Sequence, residues 1–281
     1  MSVEIIDDSS TSKEQKNVDN NNLSALFAIP KEEVRIPSKG LVYAPSTSIF
    51  NSPTVEMRYM TTADEDLLQS PTLLRKGTWL TMILRNCIVS KLIDPEDLLA
   101  GDRNTLLFWL RQTAYGSDYE LKVQCPSCKD YFQNVFQLKE LRLNTLDVAP
   151  VEEGKNEFAF TLPTSKFTVK FSLLTGRMAH ELEKEAEMAS KDFADGNEKV
   201  VSRPLIKQIT EIEGVTDKKE IKKFIETRMV ASDSFALVKY IEQITPTIIL
   251  KQEATCSKCG ETNEFNIPME MQFFWPQSKS L

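Results

Sequence analysis

The sequence predicts an α+β fold with a helical N-terminal region and two β-hairpins that are separated by an inserted α+β domain. Apolar residues recur at helical spacing over residues 62–116, which indicates the helical region. Two Cys-x-x-Cys pairs each lie between short runs of alternating apolar and polar residues, a pattern typical of hairpins. Helical spacing returns between the pairs, over residues 176–245, so the two hairpins are far apart in the chain.

These observations divide the 281 residues into four parts. A disordered tail is expected over residues 1–24, because polar residues dominate that segment. Residues 25–140 form a region that ends in the first hairpin. Residues 141–245 form the inserted α+β domain, and residues 246–281 form the second hairpin with an aromatic C-terminus.

Local patterns predict the elements before the first hairpin. Alternation at Val55, Met57 and Tyr59 indicates a strand. The acidic residues that follow Thr62 are typical of the first turn of a helix, because they interact favourably with its positive end.

Further along, a short helix is expected to open at Asp94-Pro95. Asp102 is expected to cap the next helix, which ends at Tyr115-Gly116. The same rules of alternation and helical spacing give the later elements. The predicted hairpins cover 118–138 and 157–172, the predicted helices 178–193, 217–229 and 233–244, and the predicted strands 247–250 and 265–267.

The strongest chemical signal is the cysteine pattern. Gly260 follows the second pair at a position that suits a positive φ. Two thiolates on one tight turn bind a metal ion, and two such turns complete a tetrahedral site of four sulfur ligands. The sequence therefore predicts a zinc ribbon that the inserted domain splits, with a structural Zn²⁺ held by Cys125, Cys128, Cys256 and Cys259.

Reduced thiols and disulfides are the alternatives to a metal site. Disulfides are disfavoured because the acidic N-terminus does not have the pattern of a signal peptide. A thioredoxin-like redox site is disfavoured because neither pair lies at a predicted strand-to-helix junction. The fifth cysteine, Cys87, lies in an apolar helical stretch and is interpreted as a core thiol.

Composition limits the function further. One histidine among 281 residues makes Ser-His-Asp and multi-His metal chemistry hard to build, and four sulfur ligands leave no open metal position for catalysis. The net charge of −7 argues against broad binding to nucleic acid. No apolar run approaches the ~18 residues of a membrane span. We therefore expect no enzyme activity, no small-molecule substrate and no membrane span.

Three further groups are candidates for a role. His180 is interpreted as a solvated or capping residue at a helix start rather than as a ligand or an acid–base group. Asp102-Arg103-Asn104 is interpreted as a helix start with a buried Arg contact rather than as a polar site. Two alternatives stay open for Phe273, Phe274 and Trp275: they pack against the ribbon, or they bind a partner, where aromatic residues contribute strongly.

Several segments together match the pattern of one known family. Residues 36–43 are similar to its PSxG…Y segment, and the first Cys pair ends the best-matched region. The other similar segments are 55–58, 60–66, 70–78, 98–104, 114–116 and 119–120. In these segments the chain resembles the baseplate proteins of T-even-like contractile-tailed bacteriophages. The resemblance covers about residues 35–140 and extends more weakly through 157–180 and the second Cys pair.

The resemblance implies a non-enzymatic role in the baseplate hub, either as a minor structural component or as an assembly chaperone for hub subunits. The expected partners are other baseplate hub or tail proteins. The expected location is the host cytoplasm during assembly, or the tail baseplate of the virion. The alternative from another class is a zinc-ribbon nucleic-acid-binding or transcription-related factor, which predicts salt-dependent binding that the acidic charge disfavours.

Overall fold

Short antiparallel strand pairs alternate with helices in the computed structural model, which describes residues 28–70, 72–73, 78–192, 199–269 and 271–274. The chain divides into two units, residues 1–30 and residues 31–281, and every element below belongs to the second unit. The observed class is mixed α and β with small sheets. The tail predicted over 1–24 lies outside the described residues.

The first two elements are strands, so the region expected to be helical begins with a sheet. β1 (Lys31–Arg35) pairs antiparallel with β2 (Thr54–Arg58), and the register places Val34 opposite Val55. Both valines are buried, and so is Met57 two residues along β2. The strand predicted from this alternation is confirmed.

Three helices follow: α1 (Thr62–Leu68), α2 (Trp79–Cys87) and α3 (Ala100–Tyr115). The predicted start of α1 is confirmed, and a capping box between Thr61 and Asp64 supports it. The predicted end of α3 is also confirmed. Gly116 follows it with a φ of 84°, which glycine adopts without the steric cost of a side chain.

Two predictions in this region are wrong. The chain at Asp94 forms a turn instead of a helix, because the Asp94 carboxylate accepts a hydrogen bond from the Glu96 backbone N–H at 3.1 Å. Asp102 does not cap α3, which begins two residues earlier. It is buried in the first turn, where its carboxylate accepts hydrogen bonds from the Ser38 N–H at 2.9 Å and from the Tyr43 hydroxyl. This contact joins residues 64 positions apart, which local capping rules do not capture.

The remaining elements alternate between strand pairs and helices. They are β3 (Asp118–Gln124), β4 (Tyr131–Gln137), β5 (Arg142–Asn144), β6 (Phe158–Thr161), β7 (Thr168–Phe171), α4 (Gly176–Asp192), α5 (Ser202–Gln208), β8 (Ile209–Ile212), α6 (Lys218–Thr227), α7 (Ala231–Ile244), β9 (Thr247–Ile249), β10 (Lys251–Thr255), β11 (Thr262–Asn266) and α8 (Met271–Phe274).

Both predicted hairpins before α4 are confirmed, as β3–β4 and β6–β7. The second pair gains β8 as a third strand, in the order β6-β7-β8, which the sequence did not predict. The predicted strand at 247–250 meets the return strand only at its last residue, where the Leu250 carbonyl accepts a hydrogen bond from the Ile267 N–H at 2.7 Å. Residues 247–249 form β9 and pair with β5, while β10 pairs with β11.

The β5–β9 pair brings the two ends of the intervening segment together. Its register places Arg142 opposite Ile249 and Asn144 opposite Thr247. α3 approaches this junction closely, since a Cβ on Gly101 would lie 1.7 Å from the Pro246 carbonyl oxygen. Within the segment, β6-β7-β8 packs against α7 through Tyr240, whose ring stacks on Phe160 and lies edge-on to Phe171.

None of the helices in the described part of the chain has both the length and the apolar character that crossing a membrane requires.

Candidate metal centre

The turns of β3–β4 and β10–β11 bring four cysteines together. The Sγ atoms of Cys125, Cys128, Cys256 and Cys259 all lie within 4.8 Å of one another. The Cys125–Cys259 and Cys128–Cys256 sulfur distances are both 3.8 Å. Residues at least 128 positions apart in the sequence therefore form one cluster, as the two Cys-x-x-Cys pairs predicted.

The two turns have the same local geometry. In the first, the Cys125 N–H donates to the Asp130 carbonyl and the Lys129 N–H donates to the Cys125 carbonyl, both at 2.9 Å. In the second, the Cys256 N–H and the Gly260 N–H make the equivalent bonds, with Glu261 and Cys256 carbonyls as acceptors, also at 2.9 Å. Lys129 and Gly260 occupy equivalent positions with φ of 67° and 75°. The positive φ expected at Gly260 is confirmed.

The sulfur geometry fits a tetrahedral metal ion. Zinc–thiolate bonds of about 2.3 Å give a tetrahedron with edges of about 3.8 Å, which equals the two inter-hairpin sulfur distances. A set of four thiolates is typical of zinc or iron and provides no place for Mg²⁺ or Ca²⁺, which prefer oxygen ligands. These four residues could therefore hold an ion such as Zn²⁺.

The pKa values of the thiols show what a bound cation would change in the cluster. Backbone hydrogen bonds from Cys128 and Ser127 lower the pKa of Cys125 to about 6, despite desolvation. A backbone hydrogen bond from Asp130 acts to lower the pKa of Cys128, but desolvation and the neighbouring thiols raise it to about 12. Four sulfurs this close cannot all carry negative charge unless a metal ion compensates it.

Burial distinguishes the two positions of each pair. The first cysteines, Cys125 and Cys256, are 0% and 1% exposed, whereas Cys128 is half-buried and Cys259 is exposed. The cluster therefore has a closed inner side and an open outer side. Asn263 lies at the inner side, where its amide N–H donates to the Cys125 sulfur at 3.8 Å.

Contacts behind the cysteines also hold the hairpins together. Phe265 on β11 contacts the rings of Phe132 and Phe136 on β4, with centroids 5.7 and 6.4 Å apart. The Gln252 side chain accepts from the Gln137 N–H at 3.1 Å and donates to the Gln137 carbonyl at 2.6 Å. Sequence reasoning missed Gln252 and Asn263, because a polar residue at a strand position carries no local sign of a distant partner.

The C-terminal aromatic segment is placed only in part. Phe273 and Phe274 are buried within the chain, at 0% and 6% exposure. Phe273 stacks on Phe108 of α3, and its carbonyl accepts a hydrogen bond from the Arg111 Nε at 2.6 Å. Phe274 packs edge-on against Trp79 of α2. Phe273 and Phe274 therefore pack within the chain, which is closer to the first alternative, packing against the ribbon. The rings named here lie on α2 and α3, so the ribbon is not their only packing surface. Trp275 lies outside the described residues, and its binding to a partner stays a prediction.

The other candidate residues lie away from the cluster. Cys87 is buried, and desolvation raises its pKa to about 12, as suits an inert core thiol. Arg103 pairs with Glu96 at 2.9 Å, which agrees with a helix start that has a buried Arg contact. His180 is half-buried on α4, with its Nδ1 4.0 Å from the Glu183 carboxylate.

A family model described as T4 bacteriophage base plate protein matches residues 30–275. The chain belongs to this family. No curated protein and no solved structure gives a significant match. The resemblance found within residues 35–140 is thereby confirmed. The match includes both cysteine pairs, so this base plate family protein carries the cluster inside its family region.

Proposed function

We propose that this base plate family protein is a non-enzymatic component of the phage tail baseplate hub, acting either as a minor structural component or as an assembly chaperone for hub subunits. The observation that carries the proposal is the family match over residues 30–275, which includes both halves of the cysteine cluster. The partners are other baseplate hub or tail proteins, and no small-molecule substrate is involved.

The four cysteines hold a structural Zn²⁺ in this proposal. Four thiolates fill the coordination sphere, so the ion fixes the fold and offers no position to a substrate. The zinc ribbon consists of β3–β4 from the region 25–140 and β10–β11 from the region 246–281. The inserted α+β domain, residues 141–245, then projects from a ribbon whose two halves the ion ties together. The proximity of β5 and β9 supports this organisation.

Location and role are tested together by quantitative mass spectrometry of purified phage particles and of infected-cell lysate. A fixed copy number in particles supports a structural hub component in the virion. Abundance in lysate with absence from particles supports an assembly chaperone in the host cytoplasm. Absence from particles and from every complex with tail proteins overturns the proposal.

The alternative, that the protein is a zinc-ribbon nucleic-acid-binding factor, needs a separate test. A gel shift with single- and double-stranded DNA and RNA at low salt is the measurement. We expect no shifted band, since the chain carries 41 acidic and 34 basic residues. A band that weakens steeply with added salt would instead support the factor.

A further inference from the structure

We infer that the cysteine cluster is also a peroxide-sensitive cross-linking site, in which oxidation joins the two hairpins through the disulfides Cys125–Cys259 and Cys128–Cys256. The inference deepens the proposed function and rests on its zinc site for the starting state. The disulfide pattern itself depends only on the positions of the four sulfurs.

Two sulfur contacts connect the hairpins. The Cys125–Cys259 and Cys128–Cys256 contacts, both 3.8 Å, each join a cysteine of the β3–β4 turn to a cysteine of the β10–β11 turn. Each contact also pairs a buried first cysteine with a more exposed second cysteine of the other turn. The first cysteine of each turn thus contacts the second cysteine of the other turn.

Exposure selects the cysteine that reacts first. Cys259 is the exposed member of the cluster, and oxidation of a thiolate requires access as well as charge. The sulfur that then resolves the intermediate is that of Cys125, which is buried and lies 3.8 Å from the Cys259 sulfur. Phe265 and Gln252 keep the hairpins in place during the reaction, because their contacts do not involve the metal.

The chemistry balances with hydrogen peroxide as the oxidant. The Cys259 thiolate attacks one peroxide oxygen, the O–O bond breaks, and the released hydroxide takes up a proton to become water. The Cys125 thiolate then attacks the oxidised sulfur, an S–S bond forms, and the second hydroxide leaves and is protonated. When the other pair reacts likewise, four thiolates, two peroxides and four protons yield two disulfides and four waters. Zn²⁺ leaves unchanged.

Under this inference the two hairpins stay connected in both reducing and oxidising surroundings. In a reducing compartment the ion ties the hairpins together, whereas in an oxidising one the disulfides do so. The two ends of the segment between β5 and β9 stay joined in both states.

Tryptic mapping tests whether the disulfides join the two hairpins, because Lys258 lies between Cys256 and Cys259 and places them in different peptides. Full-length protein is treated with two equivalents of hydrogen peroxide, alkylated and digested without reduction, while a colorimetric chelator follows zinc release. We expect peptides 123–129, 252–258 and 259–279 to appear as one linked species. Recovery of peptide 123–129 with an internal disulfide would overturn the inference, as would sulfinic acid at Cys259 without any linkage.

Two double variants compare disulfide formation between the hairpins with disulfide formation within one turn. C128S/C256S retains the predicted pair Cys125 and Cys259, and it should cross-link at least ten times faster than C125S/C128S, which retains the pair within the second turn. Equal rates contradict the inference. The Cys87→Ser variant is the control and should give the wild-type map, because Cys87 is buried outside the cluster.

The zinc proposal can fail without affecting this result. If the purified protein contains no zinc but oxidation still links the three peptides, the cross-linking site stands and the structural zinc does not. If zinc is bound and released but the disulfides form within each turn, the zinc site stands and the cross-linking pattern is wrong.

Discussion

The second hairpin and the sheet β6-β7-β8 are both small, but they are stabilised in different ways. In β10 and β11, whose residues are all described, Ala254 alone is buried. β7, although one residue shorter than either strand, buries Val169 and Phe171 completely. A two-stranded hairpin without a hydrophobic face is at best marginally stable in water. The hairpin therefore needs ligands and polar contacts, whereas the sheet is stabilised by its own core.

This difference shows where sequence composition predicts structure. Thr255 of β10 and Thr262 and Asn266 of β11 are poor core residues, and the turn between these strands carries two cysteines. Phe158 and Phe171 stack with their ring centroids 5.9 Å apart, and they need no special turn. Removal of metal and removal of apolar volume should accordingly affect different regions of the chain.

The largest effect is expected from Cys125→Ser. On the proposed zinc site, the variant removes one of four ligands and places a hydroxyl at a position that is 0% exposed, so we expect zinc to be lost and unfolding to cost about 4 kcal/mol less. Metal content and thermal unfolding are the measurements. Ser127→Ala in the same turn is the matched control, because Ser127 is exposed and should leave both values unchanged. Wild-type stability in a metal-free C125S protein would contradict the structural role of zinc.

The reverse test removes core volume from the sheet. Phe171→Ala deletes a fully buried ring that also contacts Tyr240, and we expect a loss of about 3–5 kcal/mol. The zinc content of the folded protein should stay at the wild-type value. Chemical denaturation and metal analysis together make the check.

Phe235→Ala provides the control for this test, since Phe235 lies on α7 with 71% of its surface exposed. Its expected change is below about 0.5 kcal/mol. If Phe171→Ala also abolished zinc binding, the sheet and the hairpins would form one cooperative unit, and the contrast between them would not hold.

The parts of the fold that could be predicted are those with local causes. The cysteine cluster was predictable because only sulfur, imidazole and carboxylate side chains bind such ions, and the two-residue spacing is a property of one turn. The end of α3 was predictable because Gly116 itself adopts the required φ. The β3–β4 and β6–β7 hairpins followed from alternation within a few residues.

The parts that could not be predicted depend on distant contacts. The sequence of β8, Ile-Thr-Glu-Ile, does not by itself predict a strand. These residues form a strand because they pair with β7, about 40 residues earlier in the chain. Asp102 looked like a cap because acidic residues favour helix starts. Its actual partners, Ser38 and Tyr43, lie in a turn that no local rule places beside α3.

A smaller effect is expected where a side chain ties the sheet to α7. The Asp233 carboxylate accepts hydrogen bonds from the Thr164 and Ser165 backbone N–H groups, at 2.7 and 3.0 Å. Asp233→Ala leaves both donors unpaired and should cost about 1–2 kcal/mol. The isosteric Asp233→Asn keeps one acceptor and should lose less. Equal unfolding midpoints for the wild type and Asp233→Ala would show that the turn is held by packing alone, and metal content should not change in either variant.

An effect that depends on pH is expected where the end of β2 contacts the start of α1. Burial tends to raise the pKa of Asp64, but hydrogen bonds from Arg58 and Thr61 outweigh it and lower the pKa from 3.8 to about 2. Because the folded-state pKa is the lower one, this stabilisation is complete above about pH 4 and is lost as the pH falls toward 2. Asp64→Asn should flatten the dependence of unfolding free energy on pH in that window. Acid also protonates zinc thiolates, so the comparison is made in the Cys125→Ser background, where that contribution is absent. If the two pH profiles remain parallel there, the Arg58–Asp64 pair contributes nothing to acid sensitivity, and the metal-free hairpins or other carboxylates account for it.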